Sequence, residues 1–171
     1  MSRSFEETVL PHLDAAYNYA RWLTRSEAEA EEVVQDATVR ALRFFSTLRG
    51  DDARGWLLAI VRNAFFARGP KHAEVFTDLP GAGADARVDD DLDPEALAIR
   101  RETVEYVRGA LEQLPIDFRE AIVLRELEGL SYKEIAAVTG VPIGTVMSRL
   151  GRARDRLLAI LTARAEEGVR S

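Results

Sequence analysis

Apolar residues recur along this chain at three- and four-residue spacing, and nowhere alternate over a useful length. The pattern predicts helices and no strands, and no Asn-Gly or Asp-Gly pair marks a hairpin. Phe5 to Leu23 reads as a first helix, with Val9, Leu13, Ala16, Tyr17, Ala20 and Leu23 on one side. Ser26 with Glu29 has the spacing of a capping box, which opens a helix from Glu27 to about Phe45. Val33, Val34, Ala37, Val39, Ala41 and Leu42 supply its apolar positions. After a polar gap, STLRGDD, a third helix runs from about Ala53 to Arg68 and buries Trp56, Leu57, Ile60, Val61, Ala64 and Phe65. Phe44 and Trp56 both fall on apolar faces and are expected to be mainly core.

Periodicity then stops. Gly69 to Asp93 is rich in Gly, Pro, Ala and Asp and reads as a flexible acidic linker between two domains, 1–68 and 94–171. Asp93-Pro94 has the form of an N-cap and first-turn proline for a helix to about Leu114. Pro115 opens another, reaching Glu128 and closed by Gly129. The fold class is therefore all-α: two small helical domains, the second ending in a helix-turn-helix.

The helix-turn-helix lies in LSYKEIAAVTGVPIGTVMSRLGRARDRL, Leu130 to Leu157. Ser131 and Glu134 form a capping box for its first helix. Gly140 stands where the chain must turn sharply, and the second helix starts near Pro142. Val146, Leu150 and Ala153 recur at helical spacing and are expected to pack inward, with the small Ala136 where the two helices cross. The outward face is expected to hold Thr145, Ser148, Arg149, Arg152, Arg154 and Arg156, whose hydroxyls and guanidiniums suit phosphates and base edges. A solvated basic face is the plain alternative for the arginines alone; the turn geometry beside them favours DNA.

Charge qualifies that reading. The 171 residues carry a net charge of −6 and a pI of about 5.1, unusual for a nucleic-acid binder. Positive charge is local: Val141 to Arg164 holds five arginines and one acid, Asp155, whereas Asp85 to Glu95 holds six acids and one Arg. Such a chain needs a partner to reach DNA with useful affinity. There is no cysteine and only two histidines, His12 and His72, so disulfides, thiolate zinc sites and a histidine-based metal or catalytic cluster are not expected. No nucleophile–base pair or phosphate loop appears, which argues against an enzyme, and no cofactor is implied. The N-terminus lacks the apolar run of a signal peptide, and no stretch approaches the roughly 20 apolar residues of a membrane span, so a cytoplasmic protein without membrane insertion is expected.

LEQLPIDFREAIVLRELEGLSYKEIAAVTGVPIGTVMSRLGRARDRL resembles the promoter-binding C-terminal domain of the extracytoplasmic-function (ECF, group 4) sigma factors of RNA polymerase. AEAEEVVQDATVRALRFF followed by ARGWLLAIVRNAFFAR resembles their N-terminal domain. The likeness covers roughly 5–68 and 95–160, in the right order. It implies that Glu31, Glu32, Gln35, Asp36, Arg40 and Arg43 dock on core RNA polymerase. It implies that the Phe45–Arg54 gap, with Arg49 and Arg54, captures a flipped base of the minus-ten element, and that Arg62, Asn63, Phe66 and Arg68 face the melted strand. This helix ends ARGPKH, thinner in basic residues than many members, which weakens the case for melting non-consensus promoters.

Lys133, Thr145, Ser148, Arg149, Arg152 and Arg154 align with positions that meet the minus-thirty-five element. Met147 and Gly151 depart from members that read bases with long side chains, so DNA shape, Ser148 and Arg149 are expected to carry more of the readout. The resemblance also implies an anti-sigma factor as regulator, in a stress response. Two rival readings remain open at this point: a sigma mimic that only occupies an anti-sigma factor, and a plain helix-turn-helix repressor, which leaves the first 68 residues unexplained.

Overall fold

The computed structural model describes residues 3–69 and 93–170. All regular structure among them is helical. Most of the expected linker, residues 70–92, lies outside the described residues.

The first helix is broken where one was expected. Ser4 caps a short α1 (Phe5–Thr8) by accepting from the Glu7 N–H at 3.1 Å. A 3₁₀ turn, Leu10–His12, contains Pro11 and leads into α2 (Leu13–Thr24). Proline has no N–H to donate and its ring crowds the preceding turn, so the apolar period continues across a helix that cannot. Arg25 takes the left-handed conformation (φ 61°) that ends α2, and Ser26 caps α3 (Glu27–Arg43).

The apolar stripe of α3 is only half buried. Val33, Ala37 and Ala41 are in the core, whereas Val39 and Leu42 are largely exposed, as is Phe44 just beyond the helix. Phe44 was expected in the core; the helix ends at Arg43, and the turn Phe45–Thr47 carries Phe45 inward onto Phe5 instead (ring centroids 5.5 Å apart). Trp56 is partly buried against the core, as expected. Asp52 caps α4 (Ala53–Phe66) by accepting from the Gly55 N–H at 2.9 Å. A Cβ on residue 55 would collide with that carboxylate, so glycine is what lets the cap close.

In the second half, Asp93 caps α5 (Pro94–Glu112). Helix α6 (Ile116–Ile122) widens into a π-helical turn, Val123–Leu127, where a single helix to Glu128 was expected. Gly129 (φ 69°) ends it. Helix α7 (Tyr132–Thr139) starts in a complete capping box: the Ser131 Oγ accepts from the Glu134 N–H at 3.1 Å, and the Ser131 N–H donates to Glu134 Oε1 at 3.0 Å. Gly140 (φ 72°) is left-handed, and its N–H reaches the Ala136 carbonyl at 2.9 Å, closing the turn into α8 (Ile143–Arg170). A residue with a Cβ is strained at that φ. Val146, Leu150 and Ala153 are buried as the spacing predicts.

Helices α2, α3 and α4 pack on one another, and α6, α7 and α8 form a second group with α5 laid along α8. The two groups also touch: α2 meets α6, and α4 meets α7. One continuous apolar core runs through both, from Tyr19, Leu57 and Phe65 to Leu124, Ile135 and Leu150.

The capping box gives a stability prediction. Its hydrogen bonds hold the Glu134 carboxyl below the ordinary 4.5. Glu134 therefore stabilises the folded chain above that pH and loses its contribution as pH falls through the lowered value. Ser131→Ala should cost about 1 kcal/mol in urea unfolding at pH 7. The penalty of Glu134→Ala should shrink when the same melts are run under acidic conditions.

Candidate nucleic-acid interface

A helix can enter a DNA groove only with the side chains that its own packing leaves outward. In α8 the buried line Val146–Leu150–Ala153 fixes that geometry. Successive residues turn by about 100°. Ser148 and Arg152 are exposed, as are Met147 and Gly151 beside them. Thr145 and Arg149 are half buried on one flank, where Arg149 Nη2 lies 4.0 Å from Asp117 Oδ2 of α6. Arg154, five residues beyond Arg149 and so about 140° around, lies on the other flank. It donates to Glu126 Oε1 at 3.0 Å, and its bonds to Glu126 and then Tyr132 raise its pKa. Of the expected outward set, Ser148, Arg152, Arg154 and Arg156 are exposed, Arg154 with its guanidinium bonded to Glu126, while Thr145 and Arg149 are half buried. Lys133 is exposed at the start of α7, in a hollow it shares with Asp51, Asp52, Glu134 and Ala137.

The other predicted residues lie in the first group of helices. Glu31, Glu32, Gln35 and Asp36 form an exposed face of α3, continued by half-buried Arg40 and exposed Arg43. Val39, Leu42 and Phe44 add uncovered apolar surface at the same end of the helix. Arg68 reaches across from the end of α4 to Glu32 and to Asp36 (3.4 Å), so a residue predicted to face a DNA strand is tied to the acidic face. Arg49 is exposed in the loop before α4. Asn63 and Phe66 are exposed on α4, and the Arg62 guanidinium sits 4.6 Å from the Phe66 ring centroid.

Two of these residues are engaged by the second group of helices. Arg54 Nη1 donates to the Glu128 carbonyl at 3.1 Å, and Arg62 Nε donates to Glu120 Oε2 at 2.9 Å. The same Oε2 accepts from the Tyr19 hydroxyl at 2.5 Å. The Glu120 side chain is 1% exposed. Burial raises its carboxyl pKa, opposed by the Arg62 charge and the Tyr19 hydrogen bond, and burial, then the charge of Glu120, pushes Tyr19 well above 10. Neither Tyr19 nor Glu120 was among the predicted site residues. A signal was present: Glu120 stands four residues from both Ile116 and Leu124, an acid inside an apolar stripe.

Among the described residues no group of acids and histidines is placed to hold a metal ion, and no helix is long and apolar enough to cross a membrane.

Two family models match the chain: "Sigma-70 region 2" over residues 8–68 and "Sigma-70, region 4" over residues 105–157. The ECF RNA polymerase sigma factor SigE of Mycolicibacterium smegmatis is 32% identical over 168 residues, which cover 98% of this chain and 65% of that protein. The RNA polymerase sigma-H factor of Pseudomonas aeruginosa is 36% identical over 163 residues, covering 91% of this chain and 84% of the relative. In structure, the chain is similar to the sigma factor RpoE from Bartonella quintana, solved in complex with the anti-sigma factor NepR. The TM-score is 0.74 at 30% identity, over 92% of this chain and 96% of the other. CnrH, solved with the cytosolic domain of CnrY, gives a TM-score of 0.61 at 31% identity over 90% and 84%.

The flank positions in α8 make the arginines separable in a duplex-binding titration. Arg152→Ala should flatten the salt dependence by about one phosphate contact. Arg154→Ala should flatten it less, because that guanidinium is already committed to Glu126. Fluorescence anisotropy of labelled promoter duplex with core polymerase and the chain together, across a salt series, reads both.

Proposed function

The chain belongs to the ECF RNA polymerase sigma factors, and on that premise we propose that it binds core RNA polymerase as a group 4 member and directs promoter recognition, DNA melting and transcription initiation. The working units are residues 1–68 for polymerase and the minus-ten element, 94–171 for the minus-thirty-five element, and 69–93 as the tether. The observation that carries this reading is the docked pair of signatures in one chain: the α3–α4 hairpin with its acidic outer face, followed by a helix-turn-helix closed at Gly140. The curated relatives are named as sigma factors rather than as enzymes or decoys, and no catalytic step is assigned.

In this reading the exposed acids Glu31, Glu32 and Asp36, with Gln35, offer acceptors to a basic polymerase surface. Val39, Leu42 and Phe44 extend that contact with apolar area, which explains why an amphipathic helix leaves them uncovered. Asn63 can both donate to and accept from a base edge, and Phe66 supplies a ring face for stacking on an unpaired base. Polymerase supplies the positive surface that the chain, at net −6, lacks. The neighbours' anti-sigma complexes support an anti-sigma factor as regulator, and the site of action is the cytoplasm, where polymerase and promoter are.

In vitro transcription with core polymerase and a promoter library tests the proposal: start sites that depend on the chain are expected. A decoy gives none, and a repressor shifts duplex DNA without polymerase. Asn63→Ala should impair opening, read by permanganate reactivity, more than initial docking. Arg149→Ala should cost about 1–3 kcal/mol at one base position if it reads that base, and should weaken all sequences evenly if it holds only phosphate.

A further inference from the structure

Glu120 is the strongest unexplained feature outside the predicted sites. It is a carboxylate on α6, buried in the joint between the two groups of helices, and both side chains that bond it belong to the other group: Tyr19 from α2 and Arg62 from α4. We propose that Glu120 is the latch of a closed, autoinhibited state, holding α6 and α7 on α4 so that the chain cannot engage both promoter elements until this contact is released. The inference rests on the sigma-factor reading, because it takes α4 to be a DNA-facing helix.

Three observations converge. First, the latch consumes promoter-facing groups: Arg62 is spent on Glu120 and Arg54 on the Glu128 carbonyl. Second, the closed chain is too small for its task. A compact chain of 171 residues has a radius of gyration of about 15 Å and so a diameter of about 40 Å. The two elements, centred some 25 base pairs apart, are separated by about 85 Å at roughly 3.4 Å per pair. Fully drawn out, the 69–93 stretch can reach about 80–90 Å, at roughly 3.3–3.6 Å per residue, enough once the halves part. Third, the similarity to RpoE in its anti-sigma complex extends over 92% of this chain, so both halves superpose together on a sigma factor that is held by an inhibitor.

The chemistry suits a latch rather than a permanent weld. A buried ion pair adds little net stability, because desolvation offsets attraction, but removing one partner strands the other. Here Oε1 of Glu120 meets no donor among the described residues, so the carboxylate is only half satisfied when closed. Opening returns Glu120 and Arg62 to water but also uncovers apolar surface of the joint, so a polymerase surface that takes α3 and α4 must supply that cost.

The test uses the whole chain, free in solution. It has no cysteine, so Glu27→Cys on α3 and Glu105→Cys on α5, both exposed and outside the predicted sites, accept a pair of spin labels without background. The native latch should give one short, narrow distance distribution. Glu120→Lys, which sets like charge against Arg62, should shift most of the population to long, broad distances, while Glu120→Gln, which keeps the shape and an acceptor oxygen, should stay mostly closed. Tyr19→Phe deletes one hydrogen bond, keeps the ring, and should open a smaller fraction; it carries the test if the lysine variant fails to fold by circular dichroism. With limiting core polymerase, the opened variant should reach productive complexes at least about threefold faster, for a closed state that dominates the free chain. A long, broad distance distribution in the native protein, an unmoved distance in Glu120→Lys or Tyr19→Phe, or opening without faster initiation overturns the proposal. If the native chain starts no transcripts while the distances still respond to Glu120, the sigma reading fails and the latch stands as the closure of the fold.

Discussion

A buried carboxylate must find donors or strand its charge, and in this chain the donors of Glu120 lie 58 and 101 residues away in sequence. That requirement decides how the two halves meet. Each half makes its own helices from local signals, but Tyr19 and Arg62 must approach α6 from the other group for the centre of the molecule to be satisfied. The apolar core runs continuously through the same joint, and the hydrogen bonds at its middle specify one register among the many that greasy surfaces would permit.

The same contact ties stability to function. Arg62 belongs to a helix whose other outward residues, Asn63 and Phe66, stay uncovered, so the closed molecule hides part of the surface proposed to face DNA and leaves part displayed. Arg68, bonded to Glu32 and Asp36, similarly links the end of α4 to the acidic face of α3. Arg62 and Arg68 are partnered within the protein before any ligand arrives, and a ligand must displace those partners. Selective release, rather than raw affinity, is the natural property of such a surface.

Much of the fold was legible because its signals are local. Ser131 and Glu134, Asp93 and Pro94, and Gly140 announce helix ends by capping and backbone geometry, and Val146, Leu150 and Ala153 announce a buried line. The misreadings have physical causes. Periodicity carried one helix across Pro11, where the missing N–H breaks it. It placed Phe44 in the core because the apolar spacing of α3 runs on past Arg43, where the helix itself stops. Arg149 was expected to face outward with the rest of its basic run, but it is half buried beside Asp117 of α6. Glu120 was passed over because an acid in a helix usually meets solvent, and its donors are remote in sequence. The resemblance supplied the candidate functional positions that periodicity alone did not, and the side-chain contacts show which of them are already engaged.

The central claim is that one chain carries polymerase to two promoter elements at once, and a footprint of the polymerase–chain complex on a promoter fragment tests it most directly. The account predicts continuous protection over both the minus-thirty-five and minus-ten elements, with unpaired thymines near the start site, and only when polymerase and the chain are present together. Protection of a single site by the chain alone, or a polymerase footprint that does not change when the chain is added, would contradict it.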